Sequence, residues 1–300
     1  MGTQGTTGMI ARQEWLRPLE DTLQQAIHKA YRSAGPNGRK VKNALHGTWL
    51  GHPLHSVLTD IPIGAWTAAM VFDVLDAVGG RKEFGMAADA ALTVGIAGAL
   101  GAALAGLTDW QDTDSPARRI GLTHGLMNVG SVALFVGSLV ARKRSSRAHG
   151  RSLSALGYAV STAAARLGGE LVYSQRVGVD HTAGQTFPAD FVPVLAESEL
   201  HDGTMKRVHH NGVPFLLARR GNRIFAMAET CSHMGGPLSE GEMTGDTVKC
   251  PWHGSQFSLE DGSVLDGPAV HRQPCLETRV RNGQIEVRKA SGQPMALTAT

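Results

Sequence analysis

Cys231-Ser232-His233 and Cys250-Pro251-Trp252-His253 are the two stretches that decide how the C-terminal part of this chain folds. Each places a thiol close to an imidazole. A structural zinc site usually gathers four ligands around one metal, with spacings such as Cys-x-x-Cys. Two cysteines and two histidines, divided between Cys-x-His and Cys-x-x-His, instead favour a 2Fe–2S cluster with both cysteines on one iron and both histidines on the other. A zinc ion held by the same side chains, Cys231, His233, Cys250 and His253, is the alternative.

The residues that follow each pair extend this pattern. The first loop continues as His233-Met234-Gly235-Gly236-Pro237-Leu238, the second as His253-Gly254-Ser255-Gln256-Phe257, and Gly267-Pro268-Ala269 comes later in the chain. With these stretches, residues 188–290 resemble the Rieske family. The resemblance implies a small all-β sandwich that carries one 2Fe–2S cluster at one end, with Pro268 in the loop that covers the cluster.

Two departures from the family pattern predict properties of this cluster. Rieske proteins of respiratory complexes carry an extra, disulfide-bonded cysteine in each loop, whereas Gly236 and Trp252 stand at those positions here. High-potential relatives donate hydrogen bonds from a serine and from a tyrosine two residues later, and this chain keeps Ser255 but has Phe257. Because such donors stabilise the reduced cluster, the resemblance implies a reduction potential in the lower or middle part of a range of about −150 to +300 mV.

Turn residues predict the strands around these loops. Asn282-Gly283 separates two alternating segments, 278–281 and 284–287, which is a strong indication of a hairpin. A second hairpin is expected to turn at Gly221-Asn222. The remaining cysteine, Cys275, falls in a predicted strand, where it is interpreted as a buried small hydrophobe.

A catalytic Rieske oxygenase needs a second, mononuclear iron held by two histidines and a carboxylate. The segment after His253 contains a single further histidine, His271. There is no room for that site downstream, so an electron-transfer role is expected instead of stand-alone catalysis.

The N-terminal half has a different composition. Residues 90–108 and 120–141 contain no Lys, Arg, Asp or Glu, and each run is long enough to cross a hydrocarbon core of about 30 Å. Two shorter segments, 60–73 and 153–165, are weaker candidates. We predict an all-α transmembrane four-helix bundle, with buried helices of a soluble core as the alternative. The net charge of +3 gives no reason to expect a nucleic-acid partner.

This half also resembles a known family. The stretches that carry the resemblance are His52-Pro53-Leu54-His55, Ile61-Pro62-Ile63-Gly64-Ala65-Trp66, Gly106-Leu107-Thr108-Asp109-Trp110 and His124-Gly125. They are similar to an uncharacterised bacterial membrane domain with four predicted helices, sometimes fused to a Rieske module and without a known activity. The predicted domains are a tail with an amphipathic helix at 1–45, the membrane domain at 46–180, the Rieske domain at 188–290 and a C-terminal tail at 291–300.

Histidines in the membrane domain suggest a second cofactor. His46, His52 and His55 precede or begin the first helix, and His124 lies early in the third. In an antiparallel bundle these two helices start on the same side, so two of the histidines could bridge a haem iron. Interfacial histidines that cap helices or bind lipid headgroups are the alternative.

The side of the membrane is harder to predict. An even number of helices places the tail and the Rieske domain on the same side, and Lys and Arg are nearly balanced between the two faces. The start of the chain lacks the pattern of a cleavable signal peptide, and the missing cluster disulfide fits a reducing compartment. We therefore expect the Rieske domain to face the cytoplasm.

The sequence thus predicts a membrane-anchored iron–sulfur protein that carries single electrons between protein redox partners. These partners would be a reductase, an oxygenase or a membrane electron-transfer complex, and the lipid bilayer would hold the protein beside them. A redox-sensing membrane protein and a haem-containing, quinone-linked oxidoreductase are the alternatives.

Overall fold

The computed structural model describes residues 5–144 and 146–290, so the predicted C-terminal tail at 291–300 lies outside the described residues. The chain divides into two compact units. We call Met1–Gly38 with Pro53–Val177 the helical unit, and Arg39–His52 with Gly178–Thr300 the β unit. The domain boundaries predicted from the sequence, 46–180 for the membrane domain and 188–290 for the Rieske domain, are not tested by this division.

Within the described residues, the α-helices all come before residue 174. They are α1 (Thr6–Ala11), α2 (Arg17–Ser33), α3 (Gly35–His46), α4 (Leu54–Gly79), α5 (Lys82–Trp110), α6 (Ala117–Arg144) and α7 (Arg147–Tyr173). Local sequence sets several of their ends. Helix α4 stops at Gly80, which takes a left-handed φ of 63°, as is common for a glycine after a helix. Helix α7 begins after Ser146, whose hydroxyl accepts the backbone N–H of His149.

Helices α4 and α5 form one hairpin, and α6 and α7 form a second, with small residues under large rings in both. In the first, Trp66 of α4 packs on Gly95 of α5, where a Cβ would collide with the indole. In the second, a Cβ on Gly157 of α7 would lie 3.2 Å from the ring of Phe135 in α6. The rings of Trp66 and Phe135 stack with centroids 4.2 Å apart and so join the two hairpins.

The predicted count of four membrane helices is not matched by this architecture. The described part of the chain has seven α-helices, of which α4, α5 and α6 are long and apolar enough to cross a bilayer. The charge-free segments 90–108 and 120–141 fall inside α5 and α6. Segment 153–165 is helical, within α7, but that helix also carries Arg147, Arg151, Arg166 and Glu170.

The predicted amphipathic helix of the tail corresponds to α2, which packs on the other helices of its unit. Leu23 and Ile27 contact a buried cluster that includes Trp110 and Leu122. On the same face, the fully buried Glu20 accepts a 2.9 Å hydrogen bond from the Arg119 guanidinium. The apolar side of α2 therefore covers the start of α6.

The β unit is all-β apart from its short N-terminal segment and carries two antiparallel sheets. The strands are β1 (Val192–Ala196), β2 (Met205–His210), β3 (Val213–Arg220), β4 (Arg223–Ala228), β5 (Glu242–Thr244), β6 (Thr247–Lys249), β7 (Gln256–Ser258), β8 (Val264–Asp266), β9 (Cys275–Arg281) and β10 (Gln284–Lys289). One sheet has the order β1-β10-β9-β4-β3-β2, and the other has the order β5-β6-β7-β8.

Both predicted hairpins are present. Strands β9 and β10 pair with Val280 opposite Ile285, and Asn282 and Gly283 both take left-handed backbone angles, as a two-residue hairpin turn requires. Strands β3 and β4 pair across Gly221-Asn222. The connection between β4 and β5, the turn between β6 and β7, and the segment after β8 carry the residues singled out from the sequence.

Candidate metal centre

The first candidate ligand loop follows β4 and folds as a tight turn around its cysteine. The backbone N–H of Cys231 donates to Gly236 O over 2.8 Å, and the N–H of Gly235 donates back to Cys231 O over 2.9 Å. Gly235 has a φ of 81°, which a residue with a side chain rarely adopts. The Cys231 sulfur accepts backbone N–H groups from His233 and Met234.

The second loop, between β6 and β7, repeats the same turn. The N–H of Cys250 donates to Ser255 O over 2.8 Å, and the N–H of Gly254 donates to Cys250 O over 3.1 Å. Gly254 takes the positive φ, at 77°. The Cys250 sulfur accepts the N–H groups of Trp252 and His253. In each loop, two backbone N–H groups therefore donate hydrogen bonds to the cysteine sulfur, and such bonds favour the thiolate form.

The structure brings all four predicted ligand side chains into one place. The rings of His233 and His253 lie with centroids 5.1 Å apart and planes at 86°. The thiols of Cys231 and Cys250 are hydrogen-bonded to each other, which raises the pKa of Cys231 and lowers the pKa of Cys250 to about 7. Both cysteines are buried, whereas both histidines are only half-buried. The sulfur side of the site therefore faces the core and the imidazole side reaches the surface.

These residues fit the predicted cluster. A Cβ on Gly236 would lie 2.8 Å from the Cys250 sulfur, so only glycine lets the two loops approach each other here. Among residues 5–144 and 146–290, no group of three or more His, Cys, Asp or Glu side chains is placed to hold a single metal ion. A 2Fe–2S cluster of this type needs two protein ligands on each iron, and the site offers one pair of sulfurs and one pair of imidazoles.

Ser255 lies in the second ligand loop and is hydrogen-bonded to the segment that contains Pro268. The fully buried Ser255 accepts the backbone N–H of Ala269 at its Oγ over 3.0 Å. That bond ties Gly267-Pro268-Ala269, which we call the proline loop, to the second ligand loop. It also leaves the Ser255 hydroxyl proton for another acceptor. A cluster sulfur as that acceptor remains a prediction.

Sequence reasoning missed a buried glutamine that fastens the first loop. Gln273 is fully buried, and its Oε1 accepts the backbone N–H of Ser232 over 3.0 Å. Its Nε2 donates to Ala228 O over 2.8 Å and to Thr230 O over 2.6 Å. One amide thus holds the end of β4 and the start of the ligand loop. A glutamine in an irregular segment gives no local indication of this role.

A second group that was missed comes from the segment Arg39–His52, which we call the strap. Asn43 donates from Nδ2 to Asp266 Oδ1 over 2.8 Å, and its Oδ1 accepts the N–H of Gly267 over 2.9 Å. A Cβ on Gly267 would come within 3.2 Å of His46 and 3.3 Å of Thr48. The strap therefore lies directly on the proline loop. These partners are 223 positions apart, too far for a sequence pattern to connect them.

The four histidines considered as haem ligands divide between the units. His46 and His52 belong to the β unit, where His46 is buried and the His52 ring lies 5.9 Å from that of His271. His55 and His124 belong to the helical unit, where their ring centroids are 6.4 Å apart. Of the pairs that the sequence allowed, the structure brings together His55 and His124.

Replacing Asn43 with alanine is expected to loosen the proline loop without touching a ligand. The change leaves a buried backbone N–H at Gly267 without its acceptor, which typically costs about 1–3 kcal/mol. The visible absorption of the cluster should therefore disappear at a lower temperature on heating than in the unchanged protein. Asn222→Ala, at an exposed hairpin turn, is the matched control and is expected to change stability by no more than about 0.5 kcal/mol. Equal melting of both variants would contradict a role for the strap.

Replacing Ser255 with alanine is expected to lower the reduction potential of the cluster. If the hydroxyl donates to a cluster sulfur, its loss removes a charge-assisted hydrogen bond of about 2 kcal/mol, equivalent to about 90 mV for one electron. Protein-film voltammetry would measure the shift. Ser258→Ala, in the neighbouring strand β7, serves as the control. An unchanged potential in Ser255→Ala would show that the hydroxyl points elsewhere.

Comparison with known proteins gives two family matches. Residues 190–279 match the Rieske 2Fe-2S domain, and residues 51–181 match a predicted membrane protein family, DUF2231. Ferredoxin CarAc of Metapseudomonas resinovorans is 33% identical over 98 residues, which are 32% of this chain and 92% of that protein. The ferredoxin component of biphenyl 2,3-dioxygenase of Rhodococcus jostii (strain RHA1) is 33% identical over 76 residues, 25% of this chain and 71% of that protein.

A solved structure is also similar to part of the chain. It is a chain from the complex of reduced oxygenase and oxidized ferredoxin in carbazole 1,9a-dioxygenase, with 32% sequence identity and a TM-score of 0.32. The similarity covers 33% of this chain and 92% of that chain.

Proposed function

The chain belongs to the Rieske 2Fe–2S family through residues 190–279, and from this premise we propose that it is a membrane-anchored carrier of single electrons. A single 2Fe–2S cluster is the cofactor of this domain, and the domain is homologous to ferredoxin components of dioxygenase systems. We assign Cys231 and Cys250 to one iron and His233 and His253 to the other. The observation that carries the proposal is the pair of matching turns, which present two buried sulfurs and two surface imidazoles together.

The imidazole side of the site would be the port through which electrons enter and leave. His233 and His253 are half-buried, and the neighbouring Trp252 is 57% exposed, with its ring 6.4 Å from that of His253. An exposed aromatic ring beside half-buried ligands suits a small, transient protein contact. When bound, the cluster supplies a reversible one-electron change, and the chain holds it between buried thiolates and this surface.

We propose a reductase as the electron donor and an oxygenase or a membrane electron-transfer complex as the acceptor. The relative from Rhodococcus jostii is the ferredoxin component of a dioxygenase, which supports protein redox partners of this class. A carrier in this role needs no substrate pocket of its own.

Membrane anchoring is proposed from the helical unit. Helices α4, α5 and α6 each have the length and apolarity of a membrane span, and residues 51–181 match a family described as a membrane protein. Large apolar side chains on these helices point outward. Among them are Val71 (53% exposed), Leu100 (59%), Leu104 (59%) and Val129 (67%). Such a surface is costly in water and suits contact with lipid.

We propose that α7 also crosses the bilayer, as a fourth span. The Rieske domain then lies on the cytoplasmic side and the α6–α7 end on the opposite side. Ala148→Cys introduces an exposed thiol at the α6–α7 end and is expected to react with a membrane-impermeant maleimide added to intact cells. Ser198→Cys, exposed in the β unit, is the matched control and should react only after lysis. Labelling with the reverse pattern would place the cluster outside the cell.

Electron transfer itself can be tested with the full-length protein in lipid nanodiscs. After anaerobic reduction, the protein is expected to reduce cytochrome c with a stoichiometry of one electron from the cluster per chain. Trp252→Ala should slow this reaction without changing the number of electrons. A cluster that is reduced but does not exchange electrons with soluble acceptors would contradict the carrier function.

A redox-sensing role is the second candidate, and the strap is the observation that favours it. The strap contacts the proline loop through Asn43 and ends one residue before Pro53, where α4 follows in the chain. A change of cluster state could thus alter a segment that leads directly into the membrane domain. If the protein is a redox sensor, the hydrogen-exchange rates of residues 39–52 are expected to differ between the oxidised and the reduced protein.

A further inference from the structure

His55 is held against the neighbouring helix in a fixed orientation. It is the second residue of α4, and its Nδ1 lies 2.8 Å from the carbonyl oxygen of Ala102 in α5. Gly106 stands one turn further along α5, where a Cβ would come within 2.8 Å of the imidazole. The glycine therefore makes the space that lets this ring lie flat against α5.

His124 repeats this arrangement in the second hairpin. Its Nδ1 lies 2.8 Å from the carbonyl oxygen of Ala164 in α7. Gly168, again four residues after the accepting alanine, would place a Cβ 3.3 Å from the ring. A histidine, a carbonyl on the paired helix and a glycine one turn later thus occur in both hairpins. The two histidines meet near the end of the bundle at which α4 and α6 begin.

The two imidazoles lie next to each other, and in both rings it is Nδ1, not Nε2, that lies at a helix carbonyl. A carbonyl oxygen can only accept, so Nδ1 carries the proton in both rings and Nε2 carries the lone pair. The ring centroids are 6.4 Å apart and the planes lie at 88°. The Asn128 amide is 3.3 Å from His124 Nε2 and also donates to the backbone oxygen of His124 over 2.9 Å. A histidine whose Nδ1–H donates to a backbone carbonyl is the usual state of a metal ligand.

We propose that His55 and His124 bind the iron of a haem through their Nε2 atoms. Two imidazoles on opposite sides of one metal, with metal–nitrogen bonds of about 2.0–2.1 Å, have centroids roughly 6 Å apart, close to the observed separation. In the part of the chain that the structure describes, no third His, Cys, Asp or Glu completes a site for a bare ion. The remaining coordination positions would therefore come from the ligand itself, as the four porphyrin nitrogens provide.

This site is independent of the iron–sulfur centre, so it adds a second redox cofactor to the proposed carrier. The Asn128 amide lies within reach of Nε2, so iron bound there would displace it, and the amide would keep its hydrogen bond to the backbone oxygen of His124. The two hairpins, which also contact each other through the stacked rings of Trp66 and Phe135 and through the Arg142–Asp73 ion pair, would flank the macrocycle.

The test uses full-length protein purified in detergent from cells supplied with a haem precursor. Pyridine haemochrome spectra and total iron are measured on the unchanged protein and on His55→Ala and His124→Ala. The unchanged protein is expected to show sharp haem bands and about three irons per chain, two from the cluster and one from haem. Each variant should lose the haem bands and keep about two irons together with the electron paramagnetic resonance signal of the cluster.

Controls separate this proposal from that of the cluster. His149→Ala, an exposed histidine at the start of α7, should keep both cofactors, and Cys250→Ser should lose the cluster and keep the haem bands. Where alanine prevents folding, His124→Gln retains a donor for the Ala164 carbonyl but offers no imidazole.

Two results would overturn the assignment. One is an unchanged protein with two irons and no sharp bands. The other is haem that remains in both histidine variants. A metal that is lost from both variants without any haem bands would overturn haem and identify the pair as a site for a bare ion.

Discussion

Serine in place of Cys250 is expected to abolish the cluster, so that the protein loses the two irons and the acid-labile sulfide of that cluster. Cys250 and Cys231 are the two buried sulfurs of the site, and the Cys250 sulfur accepts backbone N–H groups from Trp252 and His253. A serine hydroxyl is a poor ligand for iron at neutral pH, so one iron would keep a single protein ligand. Iron analysis and electron paramagnetic resonance of the reduced protein would measure the loss.

Cys275→Ala is the matched control for this experiment. Cys275 is also buried, but it lies in strand β9 and belongs to neither ligand loop, and burial raises the pKa of its thiol to about 12. It therefore stays a neutral thiol at neutral pH. It packs in the hydrophobic core, and its sulfur lies 3.7 Å from the Gln273 carbonyl oxygen. Cys275→Ala should keep all its iron. Loss of the cluster from this variant, or full iron in Cys250→Ser, would contradict the assignment of the ligands.

Alanine in place of Arg142 is expected to produce the largest loss of stability in the helical unit. The Arg142 side chain is 1% exposed and makes two hydrogen bonds to Asp73, of 2.6 and 2.5 Å. It also donates to Asp89 over 3.0 Å and to Ser154 over 2.9 Å. Removing one partner of a buried ion pair leaves the other charge uncompensated, which costs about 3–5 kcal/mol.

The expected loss corresponds to a drop in Tm of roughly 10 °C, measured by circular dichroism in detergent. Arg144→Ala removes an exposed arginine two residues further along the same helix and should leave Tm within about 2 °C. Asp73→Asn in the Arg142→Ala background should recover part of the loss, because it removes the charge left without its partner. Equal Tm values for the two arginine variants would show that the buried network contributes nothing.

The ligand site could be predicted from the sequence because its chemistry is local. Cys231 and His233 are two residues apart, and Gly235 is the glycine that the turn around them requires. The same holds for Cys250, His253 and Gly254. Asn282-Gly283 predicted its hairpin for the same reason, since two left-handed residues in a row favour this pair.

The contacts that hold the site in place could not be predicted, because they join distant parts of the chain. Asn43 was assigned to a tail before the membrane domain, whereas the structure places it on Asp266 and Gly267. Gln273 has no motif around it and acts only through the carbonyls that the fold brings to it. An asparagine at position 43 and a glutamine at position 273 therefore indicate no structural role until the tertiary structure is known.

The length of the first apolar helix was underestimated, because buried charged residues interrupt its uncharged segment. Segment 60–73 was expected to stop at Asp73, yet α4 runs from Leu54 to Gly79. Asp73 pairs with Arg142, and Asp76 pairs with Arg147 and Arg151 at 2.8 Å. Ionised side chains can remain in such a helix when partners on neighbouring helices neutralise them. A count of uncharged residues cannot identify these partners.

The most direct test of the cluster assignment is pulsed electron paramagnetic resonance of the reduced full-length protein from cells grown on ¹⁵N-labelled histidine. Two histidine nitrogens, from His233 and His253, are expected to couple to the electron spin of the reduced cluster. The coupling should fall to one nitrogen in His253→Cys if that variant retains a cluster. A cluster signal without any histidine coupling would contradict mixed ligation, and a colourless protein that contains zinc would contradict the iron–sulfur centre altogether.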